Sequence, residues 1–128
     1  MTALPLTSLG TILIVVFIFF LSTRVGRKRG VVLAPATTGD AEFEKAFRIH
    51  YNTIEQTVMF LPLLWLSTLY WGDMVSGGII AVWLIGRIIY MNAYQKDPTT
   101  RTAGMIITLL ALAAALVGSV IPLVQMIL

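Results

Sequence analysis

Four long apolar runs, joined by short polar segments, constrain the fold of this chain more than any other feature. Hydrophobic residues make up 58% of its 128 residues and charged residues only 12%, against roughly 45–50% and 25% in soluble domains. A soluble domain of this length could not bury so much apolar surface, so we predict an all-α integral membrane protein. We expect a single domain over residues 1–128, a bundle of four transmembrane helices at residues 4–23, 44–71, 76–95 and 102–127.

The charges around the first run indicate an anchoring helix rather than a signal peptide. A signal peptide carries positive charges before its apolar run and a small-residue cleavage site after it. In this chain the run lacks such a site, and the charges follow it at Arg24, Arg27, Lys28 and Arg29. We therefore expect this helix to stay in the protein.

Lysines and arginines also predict the orientation of the bundle. They concentrate in the first and third connecting segments and beside them, and the second segment has none. Because cytoplasmic loops are enriched in these residues, we predict that loops one and three are cytoplasmic and that both chain ends lie opposite. Lipid headgroups explain the net charge of +3, so we expect membrane lipids and no nucleic acid as partners. The compact length favours a bacterial inner membrane over the endoplasmic reticulum.

The second run has its own start signal and contains a proline. Asp40 is a predicted N-cap, and Glu42 and Glu44 suit the positive end of the helix dipole. Pro62 lies inside the run, where its missing N–H removes a backbone hydrogen bond and should kink the helix.

Three polar side chains near the head of the second run share one face of the predicted helix. At about 100° per residue, Arg48, Asn52 and Glu55 fall within a wedge of roughly 60°. A second polar set lies at the same expected depth, near the ends of the third and fourth runs: Arg87, Tyr90, Tyr94 and Arg101. Polar groups are costly in lipid and usually mark function, so we predict one ligand site that opens to the cytoplasm.

These side chains suit a small zwitterion with several carboxylates and amides. Arginine forks bind carboxylates, tyrosine hydroxyls donate hydrogen bonds, and Glu55 accepts from an ammonium group. Arg101, at the start of the fourth helix, would stabilise an anion and lower the pKa of a bound thiol. Thiol addition to a lipophilic partner from the bilayer is therefore one candidate reaction. A metal site is not expected with one histidine and no cysteine.

The motif Arg48-x-His50-x-Asn52-x-x-Glu55, followed by Gly86-Arg87-Ile88-Ile89-Tyr90-x-x-x-Tyr94 and Arg101, resembles the MAPEG family. These membrane-associated proteins in eicosanoid and glutathione metabolism include microsomal glutathione transferases and leukotriene C4 synthase. The resemblance extends over nearly the whole chain and implies a homotrimer of four-helix subunits with glutathione as co-substrate. It implies a transferase that conjugates the thiol to a lipophilic electrophile, or a peroxidase that reduces a lipid hydroperoxide.

The resemblance also implies roles for individual residues. Arg101 matches the family arginine that activates the thiol. Glutathione is expected between subunits, with the second-helix set from one and the other residues from its neighbour. His50 and Gln56 match positions that approach the ligand in only some members. The implied glutathione-binding residues are Arg27, Arg48, Asn52, Glu55, Tyr90, Tyr94, His50 and Gln56.

Departures from the family pattern leave the product open. Gln56 stands where the leukotriene synthase branch has a tyrosine, and Arg101-Thr102 resembles an arginine–serine pair of the prostaglandin synthase branch. No single eicosanoid product is predicted. Two purely structural interpretations also remain for some residues of the predicted ligand site. Glu55 and Arg87 could form a buried pair that only joins helices, and the tyrosines could belong to an interfacial aromatic belt.

Two other functions remain open from the sequence. One is a lipid-binding protein of the same family without transferase activity. That branch lacks the arginine that matches Arg48, which this chain keeps. The other is a small four-span transporter in which Glu55 is a proton-coupled site for a cationic drug. The arginines around Glu55 disfavour a bound cation, so the enzyme is favoured over both.

Overall fold

The computed structural model describes residues 3–128, and this part of the chain forms four long helices and no strand. The elements are α1 (Pro5–Lys28), α2 (Ala41–Trp71), α3 (Asp73–Lys96), a short 3-10 turn (Pro98–Thr100) and α4 (Thr102–Ile127). The all-α class and the four helices predicted from the sequence are confirmed.

The four helices differ in how well they suit a membrane. Helices α1, α3 and α4 are each long and apolar enough to cross one. Helix α2 is the longest, at 31 residues, but the polar side chains of its first half leave it outside this group. Its crossing of the membrane stays a prediction.

Helix α2 begins where the sequence predicts. The carboxylate of Asp40 accepts a hydrogen bond from the backbone N–H of Phe43 at 2.9 Å, as an N-cap does. The helix continues past Pro62 and ends at Trp71, where Gly72 adopts a positive φ of 85°. That conformation suits glycine and lets the chain reverse at once into α3.

Helix α2 contacts each of the other three helices, α1, α3 and α4. Phe60 of α2 stacks on Trp83 of α3, with ring centroids 5.1 Å apart and planes tilted by 9°. Ile14 of α1 and Ala115 of α4 belong to the same buried cluster. This cluster fixes the register of α2 against α3. It lies further along α2 than the three polar residues Arg48, Asn52 and Glu55, which form the polar head of α2.

Helices α3 and α4 approach each other closely beside that polar head. A Cβ atom at Gly104 would lie 2.6 Å from the Cα of Tyr90 and 2.8 Å from the carbonyl oxygen of Gly86. Small residues allow such contact between membrane helices. The contact brings the start of α4 next to Tyr90.

Two polar clusters tie the helix ends together. At one end, Arg24 of α1 donates to the side-chain oxygen of Gln95 at 3.0 Å, and Gln95 donates to Glu42 of α2 at 2.9 Å. At the other end, the carboxylate of Asp73 accepts from the backbone N–H groups of Leu6 and Thr7 at 2.9 and 2.8 Å. The first cluster lies at the end of the bundle that holds the polar head of α2.

Candidate functional site

A polar pocket of about 360 Å³ lies between α2, α3 and the start of α4. Six of its residues were predicted from the sequence and two were not. The lining residues are Arg48, Tyr51, Asn52, Glu55, Tyr90, Tyr94, Arg101 and Met105. The pocket is open on one side, because Arg48, Glu55 and Arg101 are exposed on the surface of the chain.

The α2 wall of the pocket follows from helical spacing. Arg48, Asn52 and Glu55 are separated by four and three residues, the two spacings that stack side chains on one face. Tyr51 completes this wall because it precedes Glu55 by four residues. The adjacent face of α2 carries Ile49 and Thr53, which are buried inside the bundle.

The 3-10 turn sets the position of Arg101. The carboxylate of Asp97 accepts from the backbone N–H of Thr99 at 3.0 Å and from its hydroxyl at 2.8 Å. These hydrogen bonds lower the pKa of Asp97 below its usual value. Arg101 follows as the first residue before α4, and its guanidinium donates to the carbonyl oxygen of Pro98 at 3.3 Å. The arginine thus lies at the helix end that favours anions.

The α3 wall is aromatic. The rings of Tyr90 and Tyr94 lie 5.5 Å apart, centroid to centroid, and are tilted by 33°. Tyr90 is buried, with 4% of its surface exposed, and Tyr94 is half-buried. Arg87 lies one turn before Tyr90, with its guanidinium carbon 4.0 Å from the ring centroid.

Arg87 is buried behind the pocket and does not line it. Only 1% of its surface is exposed, and it donates to the side-chain oxygen of Asn52 at 3.1 Å. The pairing of Arg87 with Glu55 considered from the sequence is not formed. Both ion pairs within residues 3–128 involve Glu42 instead, with Lys28 and Lys45 as partners.

Three of the predicted ligand residues lie outside the pocket. Arg27 is exposed near the end of α1. His50 and Gln56 are half-buried on other faces of α2, and the side-chain oxygen of Gln56 is buried without a hydrogen-bond partner among the described residues. The other six predicted residues line the pocket of a single chain. Their expected division between two neighbouring subunits stays a prediction.

The sequence contained a signal for both residues that were missed. Tyr51 lies three residues after Arg48, and Met105 lies four residues after Arg101. Each is therefore a helical neighbour of a predicted site residue. Within residues 3–128, no group of three or more histidine, cysteine, aspartate or glutamate side chains could hold a metal ion.

The MAPEG family model matches residues 2–121 of the chain. The chain belongs to the MAPEG family. With three helices long and apolar enough to cross a membrane, this MAPEG protein is an integral membrane protein.

Several relatives are similar to this MAPEG protein over most of its length. It is 37% identical over 118 residues to an uncharacterized protein of Synechocystis sp., and this alignment covers 91% of this chain and 83% of that protein. It is 31% identical over 103 residues to microsomal glutathione S-transferase 2 of Homo sapiens, with 77% and 70% covered. It is 29% identical over 85 residues to leukotriene C4 synthase of Bos taurus, with 66% and 57% covered.

Proposed function

We propose that this protein is a membrane-embedded glutathione transferase that activates the glutathione thiol and conjugates it to lipophilic electrophiles. The pocket between α2, α3 and α4 carries this proposal, because one chain brings two arginines, a carboxylate, an amide and three tyrosines to a single cavity. The similarity to microsomal glutathione S-transferase 2 supports glutathione as the thiol donor.

The donor and acceptor groups of the pocket complement those of glutathione. This tripeptide carries two carboxylates, one ammonium group, two amides and a thiol. Arg48 and Arg101 supply cations for its anionic groups, Glu55 accepts from its ammonium group, and Asn52 bonds an amide or a carboxylate. The pocket volume of about 360 Å³ falls in the usual range for small-molecule sites, roughly 300–1,000 Å³.

Arg101 is the residue that we assign to thiol activation. Its own charge and the N-terminal end of α4 both favour the thiolate over the thiol, and the thiol proton leaves to water at the open side of the pocket. The thiolate sulfur then forms a bond to an electrophilic carbon of the acceptor. The leaving group departs with the bonding electron pair and, where it is an alkoxide, takes a proton from water.

The same thiolate would reduce a lipid hydroperoxide. The sulfur attacks the terminal peroxide oxygen, the O–O bond breaks, and the lipid alkoxide takes a proton to become an alcohol. A second glutathione thiol then displaces water from the sulfenic acid and forms glutathione disulfide. Tyr51 and Met105 give the pocket an aromatic and an apolar surface against which the lipid partner can pack.

The homotrimer and the cytoplasmic opening are part of the proposal. Arg27 lies outside the pocket of its own chain and is exposed, so it is free to contact glutathione bound by a neighbouring subunit. The basic residues of loops one and three support a cytoplasmic opening. We propose the bacterial inner membrane as the location, and similarity to a Synechocystis protein supports this choice.

The test measures the ultraviolet absorbance of the thiolate when glutathione is added to the detergent-purified protein at neutral pH. We expect a thiolate signal in the wild-type protein and none in Arg101→Ala, because the cation that we assign to stabilising the thiolate is gone. Lys96→Ala is the matched control. Lys96 is an exposed cation near the end of α3 that does not line the pocket, so its loss should leave the signal unchanged.

Two other results would count against the proposal. Equal thiolate signals in wild type and Arg101→Ala would move thiol activation to another residue. If the wild-type protein does not bind glutathione, the assignment as a glutathione transferase is rejected, and a lipid-binding protein or a transporter is favoured. An assay in the same preparation that detects the conjugate of glutathione with a lipophilic electrophile distinguishes a transferase from a protein that only binds glutathione.

A further inference from the structure

Arg87 stands out because it is buried, charged and connected to two pocket residues without lining the pocket itself. Its guanidinium donates to the side-chain oxygen of Asn52 at 3.1 Å and lies 4.0 Å from the ring centroid of Tyr90. We propose that Arg87 is a positioning residue that fixes Asn52 as a hydrogen-bond donor toward the ligand and fixes the ring of Tyr90. The proposal rests on the proposed function only for the identity of the ligand.

The chemistry of arginine determines which way the Asn52 amide is turned. A guanidinium has only donors and no acceptor, so the atom of Asn52 that faces Arg87 must be the carbonyl oxygen. The oxygen and the nitrogen of a side-chain amide are bonded to the same carbon and point in different directions within one plane. With its oxygen held by Arg87, Asn52 turns its N–H groups away from Arg87, and these two donors remain free for the pocket.

This orientation selects the kind of ligand group that can lie beside Asn52. A free amide N–H pair binds a carboxylate or carbonyl oxygen and rejects an ammonium group. Glu55 lies three residues further along the same wall and has the opposite preference. A ligand that satisfies both must therefore present an acceptor to Asn52 and a donor to Glu55.

The second contact of Arg87 holds the aromatic wall. A guanidinium over the face of a tyrosine ring is attracted by the ring quadrupole, and this contact fixes the ring plane of Tyr90. The Tyr90 ring in turn packs against Tyr94 at 5.5 Å. One buried side chain thus connects the α2 wall to the α3 wall of the pocket.

The environment of Arg87 favours positioning over a purely structural role. No carboxylate pairs with it within residues 3–128, and its Nε and Nη1 atoms make no hydrogen bond to the described residues. Burial of a charge without a counter-charge is costly, so an apolar side chain of similar length at this position removes that cost. We therefore expect Arg87→Met to fold, and its effect to appear at the site.

The first test reads the Asn52 side chain without any ligand. The chain has two asparagines, Asn52 and Asn92, so protein labelled with ¹⁵N at asparagine side chains gives two pairs of amide signals. Asn52→Ala assigns them, and the exposed Asn92 serves as an internal reference. In Arg87→Met, the Asn52 signals should shift and exchange faster with water, while those of Asn92 stay in place.

A matched control removes another arginine that joins two helices. Arg24 of α1 donates to Gln95 of α3 at 3.0 Å and does not contact the pocket. Arg24→Met should leave the Asn52 signals unchanged. Unchanged Asn52 signals in Arg87→Met, or equal shifts in the two variants, would overturn the positioning role. Arg87→Gln is a second variant with the same expected result, since glutamine can also present an acceptor and lets the amide turn over.

The second test measures glutathione affinity in a double-mutant cycle. Asn52→Ala and Arg87→Met should each raise the dissociation constant by about tenfold, the loss of about one hydrogen bond to a charged group. The double variant should bind much more tightly than the product of the two effects predicts, because Arg87 acts in part through Asn52. If the two effects instead multiply, so that the dissociation constant of the double variant rises about a hundredfold, the proposal is overturned.

The two tests separate this proposal from the proposed function. If the wild-type protein does not bind glutathione, the transferase assignment fails, but the amide signals still decide whether Arg87 orients Asn52. If glutathione binds and the amide signals do not respond to Arg87→Met, the transferase assignment stands and the positioning role fails.

Discussion

The close approach of α3 and α4 makes a strong prediction for a single methyl group at Gly104. In Gly104→Ala the new Cβ would meet the backbone nitrogen of Tyr90 and lie 2.6 Å from its Cα. Carbon atoms pack best at about 3.5–4.0 Å, so the helices must separate by roughly 1 Å. The obstacles are backbone atoms, which cannot rotate away, so the cost should lie near the upper end of the usual about 1–3 kcal/mol for overpacking.

Separation of these helices should also damage the site, because Tyr90 and Arg101 lie on opposite sides of the contact. A misplacement of about 1 Å can reduce a reaction rate by about 100-fold. We therefore expect Gly104→Ala to lose both stability and the proposed transferase activity. The assay is reversible unfolding of the detergent-solubilised protein by a denaturing detergent, followed by circular dichroism, with activity measured on the same preparation.

Gly78→Ala provides the matched control for this prediction. Gly78 lies in α3, and a Cβ there would meet nothing within 4 Å. Alanine in a helix is more favourable than glycine by up to about 1 kcal/mol, so this variant should be as stable as wild type or slightly more so. The packing argument is refuted if Gly104→Ala unfolds within about 0.5 kcal/mol of wild type, or if both variants lose the same stability.

Three further predictions concern the core and the helix ends. Phe60→Ala, which removes a fully buried ring stacked on an α3 tryptophan, should lower the unfolding free energy by about 3 kcal/mol and by more than Phe60→Leu in the same unfolding assay. Asp73→Asn weakens the acceptor of two backbone amides and one hydroxyl of α1 and should lower the thermal midpoint, which equal melting curves would contradict. The lowered pKa of Asp97 means that its stabilising contribution is present above the ordinary carboxyl pKa and is lost as pH falls through the lowered value. Asp97→Asn should therefore flatten part of the acid dependence of stability, and an unchanged acid slope would rule this out.

The local features of α2 could be predicted from the sequence because they depend on neighbours along the chain. The Asp40 cap needs only the backbone N–H groups of the next turn, and the wedge of Arg48, Asn52 and Glu55 needs only the helical period. Both were found without any knowledge of other helices. The α3 wall follows in the same way, since Tyr90 and Tyr94 are one turn apart.

Contacts between helices could not be predicted in the same way. Opposite charges made a pair between Glu55 and Arg87 one alternative from the sequence, yet Arg87 donates to Asn52. The pairing depends on the rotation and register of α3 against α2, which the stack of Phe60 on Trp83 fixes two turns below. A period read from one helix contains no information about that rotation.

The face of α2 that carries the pocket explains why we propose an assembly for this protein. Helix α2 contacts every other helix, yet it leaves Arg48 and Glu55 exposed on the surface of a single chain. Charged side chains are costly against lipid, about 2.5–3.5 kcal/mol near the centre of a bilayer on insertion scales. A water-soluble ligand also needs a path to this face. A neighbouring subunit placed along it would exclude lipid while the end of the bundle beside Arg48 and Arg101 stays open to water, so one arrangement meets both requirements.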